Sequence, residues 1–259
     1  MTSIKISIVL NLHHEGPYIR RTLRSLRDAV YYTRAKKEAE FELIVVQDRP
    51  DSLTTAVADK FDFSFAEHKS ITVNNGSLGL SRNSGLILAT GDYVCFADGD
   101  DLISFNYFSS CLETAQAHPG AAIFPEYLYA FGAKCHLTRY YNSDTFNPRA
   151  FFDIHPYISR IFMQRDILNR HEYLETPRNG LYAFEDWHMN ATLAADGCAF
   201  KIARDSWLFY RQHSQSNMAT TGQSKIIPFT PSFLPSVYRE ISAARTLQPR
   251  DEFSNSEIL

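Results

Sequence analysis

The chain is predicted to fold as an α/β domain with a mostly parallel central sheet flanked by helices. Three observations carry this: an opening apolar run rich in β-branched residues, three further short apolar runs that each end in a polar turn, and amphipathic segments of helical period between them. Ile4 to Leu12 is the first run and reads as a strand buried on both faces. From Tyr18 to Tyr31, Ile19, Leu23, Leu26 and Val30 recur at helical steps while Arg20, Arg21, Arg24 and Arg27 occupy the opposite face. Phe41 to Val46 is the second strand. Gln47-Asp48-Arg49-Pro50-Asp51 stops it and opens a helix. Ser70 to Val73, the turn-rich Asn74 to Gly79, a helix over Ser81 to Ala89 and a strand over Asp92 to Ala97 follow, and that strand runs into Asp98-Gly99-Asp100-Asp101. In an open parallel sheet, ligands gather at the carboxyl ends of the strands, which here would collect His13, Glu15, Asp48, Asp98 and Asp100.

Past Ala121 the chain becomes strongly aromatic and the strand-helix rhythm fades, while Tyr182 to Ala195 regains helical period and Ala199 to Phe209 reads as a strand. Residues 1–222 are taken as one domain, with a donor half over 1–101 and an acceptor half over 102–222. Residues 223–259 form a tail with one helix expected around Val237 to Leu247. The aromatic residues are assigned mainly to core packing.

Composition narrows the function. Hydrophobic residues make up 44% and charged residues 21% of the chain, an ordinary globular balance. A formal net charge of -3 lacks the basic surplus with which proteins neutralise nucleic-acid phosphates, so no nucleic-acid partner is expected. The four cysteines are widely spaced with no CxxC pair, which argues against a zinc site and a disulfide framework. Reduced thiols and no export signal at Met1 to Leu10 lead to a cytoplasmic expectation, with any membrane contact peripheral and at the inner face.

Three carboxylates within four positions after a buried strand repel one another strongly in a low dielectric, and a divalent cation would resolve the conflict. Hard oxygen ligands of this kind suit Mg²⁺ or Mn²⁺. The plainer alternative is an acidic turn capping a helix that starts near Ile103. Glu185-Asp186, before the helical stretch, would alone pass for an ordinary helix start. His213 is one of nine histidines and says little by itself.

In combination these segments resemble the family-two inverting glycosyltransferases of the GT-A fold, the nucleotide-diphospho-sugar transferase architecture, from about Lys5 to about Ser216. The resemblance rests on Ile6-Ser7-Ile8-Val9 followed by His14-Glu15 and Leu23-Arg24-Ser25-Leu26. It continues through Glu42 to Asp48, then Asn75, Gly79, Ser81-Arg82-Asn83, Gly85, Ala89 and Gly91-Asp92, the DXD segment Phe96 to Asp101, Glu185-Asp186-Trp187, and Tyr210-Arg211-Gln212-His213. Gln47 and Arg49-Pro50 depart from the family's two aspartates and Gly-Ser turn.

The resemblance implies a hexosyltransferase-like enzyme that uses a UDP- or dTDP-sugar and a glycan or lipid-linked glycan acceptor in envelope, capsule or lipopolysaccharide synthesis. It further implies Asp98, Asp100 and His213 as holders of a Mn²⁺ or Mg²⁺ ion, and Asp186 as the base that takes the acceptor proton, with Glu185 orienting the acceptor beside it. Leu12, His13, Glu15, Asp48, Asn75, Arg82, Asp98 and Gly99 would bind the donor, and Trp187 the acceptor. Arg82 is expected to meet the diphosphate or brace the aspartates, and Asn83 to be structural. Homo-oligomerisation through the tail is one use open to it. The competing readings are a nucleotidyltransferase acting at phosphorus, which should carry a glycine-rich loop where Leu12 to Gly16 has one glycine, and a non-catalytic nucleotide- or carbohydrate-binding module.

Overall fold

The computed structural model describes residues 3–142, 155–157, 160–175, 182–212 and 227–228. The chain divides into two units, Met1–Phe229 and Thr230–Leu259, and every described residue lies in the first. The helix expected over Val237 to Leu247 lies outside the described residues.

Strand β1 (Ile4–Leu12) pairs in parallel with β2 (Ala39–Asp48) on one side and with β4 (Tyr93–Asp98) on the other, and β2 pairs in parallel with the edge strand β3 (Glu67–Val73). Beyond β4 the sheet continues through β8 (Phe162–Gln164), β6 (Ala122–Gly132), β10 (Phe200–Gln212) and β5 (Leu102–Ile103), while β7 (His136–Arg139) pairs with β6. Strand β8 runs antiparallel between β4 and β6, so β6 and β10 point the same way as the first four strands. Residues from both halves of the chain therefore build one mostly parallel sheet.

Side chains alternate across a strand, and here both faces are covered, which is why β1 and β2 read as continuous apolar runs. Ile6, Ile8, Leu10 and Leu12 pack under helix α1 (Ile19–Arg34) and helix α4 (Tyr107–Ala117) in a core completed by Phe41, Phe65 and Phe108. Helix α1 buries Ile19, Leu23, Leu26 and Val30, the positions given by its period, and leaves Arg20, Arg21 and Arg24 exposed. Helix α2 (Ser52–Asp59) is capped by the Asp51 carboxylate, which accepts the Thr54 N–H at 2.7 Å.

Several boundaries differ from expectation. Helix α3 spans Leu78–Leu88 and takes in residues that read as loop. Gly79 sits there because a Cβ would come within 2.5 Å of the Leu174 carbonyl oxygen, a close approach rather than a turn. Tyr182–Ala183 is a short strand, β9, paired with β11 (Ile227–Pro228). Phe184 then takes a left-handed backbone (φ 67°, ψ 53°) that breaks the helical pattern before the helix over Glu185–Ala195. Strand β10 carries a register shift between Ala203 and Trp207, where Asp205 has positive φ and gives its N–H to Glu126 at 2.8 Å.

Candidate active site

The carboxyl ends of β1, β2 and β4 lie side by side, with Asn11 in register with Asp98 and Leu12 with Gln47. The strands thus deliver the acidic turn 98–101, the His13 to Glu15 turn and Asp48 to one edge. The turn does not cap a helix: Leu102–Ile103 is a strand and α4 starts only at Tyr107, so the plainer alternative for these aspartates fails. Gly99 closes down on the first turn. A Cβ there would meet Leu12 Cδ2 at 2.5 Å and Glu15 Cβ at 3.0 Å, and the Gly99 carbonyl accepts the Thr22 hydroxyl at 2.8 Å.

Two buried arginines organise the acids. Arg82, in α3 and 1% exposed, donates Nη1 to Glu185 Oε1 at 3.0 Å and faces Asp98 with Nη2 at 3.4 Å, while its guanidinium lies 5.2 Å from the Tyr173 ring centroid. Arg160 pairs with Asp98 at 2.9 Å and binds Asp101 through the same nitrogen. The Asp101 carboxylate also accepts the Arg211 N–H at 2.7 Å, and Arg211 Nε donates to the Asp100 carbonyl at 3.0 Å, fastening the turn to the end of β10. Asp101 is thereby a structural member of the trio. Charge crowding at the turn is relieved in part by the protein's own guanidiniums, so crowding alone does not demand a metal.

The electrostatics divide these carboxyls. Burial pushes Asp98 upward, but Arg160 and Arg82 outweigh it and hold the carboxyl below its ordinary range. Burial, reinforced by Asp186 and opposed by Arg82, raises Glu185 to about 7. Burial also raises Glu15 to about 7, against the His13 N–H that its carboxylate accepts and with Asp100 and Asp98 adding to the rise. Among the described residues acidic side chains outnumber arginines at this edge. Asp98 and Asp100 offer hard oxygen donors there, a set suited to Mg²⁺ or Mn²⁺ completed by substrate phosphates. Among the described residues no group of three acid, histidine or cysteine side chains is arranged to hold an ion, and His213 lies outside them.

The remaining expected donor residues cluster at the same edge, several of them committed to the protein itself. Asp48 accepts the Gly76 N–H at 2.7 Å and the Ser81 hydroxyl at 2.9 Å, which fixes the 74–77 loop. Asn75 donates to Ser84 Oγ at 3.1 Å. Leu12 points into the core, whereas the exposed His13 ring stacks on His14 at 3.7 Å and has Nδ1 2.6 Å from the Asp48 carbonyl. The Glu15 side chain turns to His13 rather than to the start of α1, which has no side-chain cap. Asn83 is structural, as expected: its amide exchanges hydrogen bonds with Tyr173, donating at 2.9 Å and accepting at 3.0 Å.

Glu185 and Asp186 open the helix Glu185–Ala195, hereafter α6, with α5 the short turn Arg165–Leu168. Asp186 Oδ1 accepts the Trp187 N–H at 2.9 Å, and Oδ2 lies 3.8 Å from His155 Nδ1. Trp187 stacks on the His155 ring with centroids 5.5 Å apart. Sequence reasoning missed Arg160, His155 and Asn11. Arg160 had a signal, a charge heading the apolar run Ile161-Phe162-Met163. Asn11, 5% exposed, has neither amide atom hydrogen-bonded among the described residues, a costly arrangement at the carboxyl end of β1.

The family model for glycosyl transferase family 2 matches residues 7–186. Among curated relatives, a poly(ribitol-phosphate) beta-N-acetylglucosaminyltransferase, TarP of Staphylococcus aureus, is 28% identical over 101 residues, 38% of this chain and 29% of that protein. A poly(ribitol-phosphate) beta-glucosyltransferase of Bacillus spizizenii is 31% identical over 102 residues, 39% of this chain and 15% of its own length. The chain thus spans about a third or less of the length of the curated relatives it matches, from 14% to 34%. The structure of Staphylococcus aureus TarS 1-349 in complex with UDP-GlcNAc superposes with a TM-score of 0.68 at 17% identity, covering 93% of this chain and 66% of that one. It shares the mixed α/β fold.

Proposed function

The chain belongs to glycosyl transferase family 2, and on that premise we propose that it transfers a sugar, with inversion, from a UDP-sugar to a hydroxyl of a surface glycan or lipid-linked glycan. The observation that carries the proposal is the Arg82 bridge. One buried guanidinium joins Asp98 to Glu185, a residue 103 positions from Arg82 in sequence, and so couples the donor-side turn to the carboxyl pair on α6. That is the arrangement a displacement at an anomeric carbon needs, with leaving-group stabilisation on one side and a base on the other.

Asp186 serves as the base. The acceptor oxygen attacks the anomeric carbon, its proton passes to the Asp186 carboxylate, and the bond from that carbon to the diphosphate oxygen breaks with its electron pair leaving on UDP. Glu185, held by Arg82, positions the acceptor side, and Trp187 offers it a flat apolar surface. Asp48 and Asn75 shape the nucleotide pocket by fixing the 74–77 loop, with Leu12, His13, Glu15 and Gly99 forming its floor and rim. A diphosphate brought to an edge rich in carboxylates is repelled unless a cation accompanies it, because Arg82 and Arg160 are already engaged with Asp98. Mg²⁺ or Mn²⁺ held by Asp98 and Asp100, with His213 completing the protein's share, supplies Lewis-acid neutralisation of the leaving diphosphate when bound.

UDP as the nucleotide is supported by TarS 1-349, described in complex with UDP-GlcNAc. The poly(ribitol-phosphate) relatives make that polymer the first acceptor to try. The test is UDP release from UDP-GlcNAc and UDP-glucose with poly(ribitol phosphate) present, for the natural protein and Asp186→Asn. The variant is expected to lose roughly 10²- to 10⁴-fold in turnover with UDP affinity unchanged. Substantial turnover in Asp186→Asn would remove Asp186 from the role of base.

A further inference from the structure

The geometry points to His155 as the residue that positions Asp186, held in a single tautomer by Asn190. This rests on the reading of Asp186 as the base. Asn190 is fully buried on α6, and its Nδ2 lies 2.9 Å from the Tyr157 carbonyl oxygen. A carbonyl only accepts, so the atom facing it must be the amide nitrogen, which settles the orientation of the amide. The second hydrogen of that nitrogen is directed at His155 Nε2, 3.1 Å away. A ring nitrogen that accepts a hydrogen bond carries no proton of its own, so the neutral imidazole keeps its proton on Nδ1.

Nδ1 is the nitrogen that faces Asp186 Oδ2 at 3.8 Å. The other oxygen, Oδ1, takes the Trp187 N–H at 2.9 Å, and the parallel stack of Trp187 on His155 (interplanar angle 4°) fixes the ring plane. The carboxylate is thus addressed at both oxygens, one by backbone and one by an N–H whose direction is set two residues away in the chain of contacts. At 3.8 Å the approach is longer than a formed hydrogen bond. Catalytic hydrogen bonds are commonly long in the empty enzyme and shorten when substrate is engaged. Burial, opposed by Asp186, lowers the affinity of His155 for a second proton, in keeping with a neutral ring. Asp186 is the charged group within ion-pair reach of His155 among the described residues.

The tautomer is read directly by nitrogen-15 NMR of the histidine ring in the full chain. A proton on Nδ1 with Nε2 bare at pH 7.5 is expected, and a proton on Nε2 would overturn the inference. In the UDP-release assay above, His155→Phe keeps a ring against Trp187 but removes the donor. It should lower kcat roughly 10- to 100-fold, by analogy with the loss of an outer partner of a functional ligand, with the donor KM and UDP affinity unchanged. His155→Asn, whose amide nitrogen can occupy the place of Nδ1, should recover part of that loss, which a purely structural role would not allow. In an Asp186→Asn background His155→Phe should have no further effect. If His155→Phe turns over at the natural rate while Asp186→Asn is inactive, His155 has no positioning role. If Asp186→Asn is itself active, the base assignment fails instead.

Discussion

Two acidic centres sit at opposite ends of the same strands and are treated oppositely by the fold. Toward the amino ends of β2 and β4, Glu42 is fully buried and fully answered. It accepts the Ser7 hydroxyl at 2.5 Å, the Thr90 N–H at 2.6 Å, the Gly91 N–H at 3.1 Å and the Lys69 ammonium at 2.8 Å. Burial works against its ionisation, yet these partners outweigh burial and bring its carboxyl down to about 2. At the carboxyl ends, Glu15 and Glu185 rise to about 7, and the Asn11 amide and Gln47 Oε1 are buried without a hydrogen bond among the described residues. A carboxylate whose partners complete its shell holds strands together. Carboxylates that burial raises, next to amides without a hydrogen bond among the described residues, are what a candidate ligand-binding end presents.

This contrast can be broken or sharpened by substitution. The largest stability effect is expected from Arg82→Met, which leaves Glu185 buried without its cation and Asp98 with Arg160 alone. Removing one member of a buried ion network costs about 3–5 kcal/mol, to be read from urea unfolding midpoints. A loss below about 1 kcal/mol would mean that Arg82 does not hold the two motifs together.

Glu42→Gln comes next and carries a pH signature. The folded carboxyl lies near 2 against an ordinary value of 4.5, so its ionised form is favoured by folding. The stabilisation is fully present above about pH 4.5 and is lost as pH falls through about 2, amounting to ~3 kcal/mol at neutral pH. The stability gap between Glu42→Gln and the natural protein should therefore narrow steadily below pH 4.5, and a gap independent of pH would contradict the role given to Glu42. The smallest effect is expected from Asn83→Ala, which removes the two hydrogen bonds to Tyr173. A loss of ~1–2 kcal/mol is expected in the same unfolding experiment.

How much of this was legible in the sequence follows from which interactions are local. Strands β1, β2 and β4 announced themselves because burial on both faces demands unbroken apolar runs, and α1 because its buried positions recur at helical steps. The short β8 and β5 did not, since two or three residues carry no period and owe their pairing to distant strands. The acidic turn stood out in the sequence as a candidate site through its crowded carboxylates, and the Glu185-Asp186 pair only through the family resemblance. Arg82 was expected to meet the diphosphate or brace the aspartates and does face Asp98, whereas Arg160 was not assigned to the turn, because its pairing with Asp101 exists only once β8 lies beside β4. His155 and Asn190 meet through three-dimensional packing alone. Glu42 looked like one polar residue in an apolar strand, and its role required Lys69, Ser7 and Thr90 to be brought around it.

The most direct test of the central claim is calorimetric titration of UDP into the protein with Mn²⁺, then with a chelator, and again with Asp100→Ala. Binding that requires the metal and disappears in Asp100→Ala is the predicted result and would tie the acidic turn to the donor diphosphate. UDP binding of equal strength in all three experiments would contradict a metal-assisted site at Asp98 and Asp100, and no binding in any of them would contradict the assignment of this edge to a UDP-sugar.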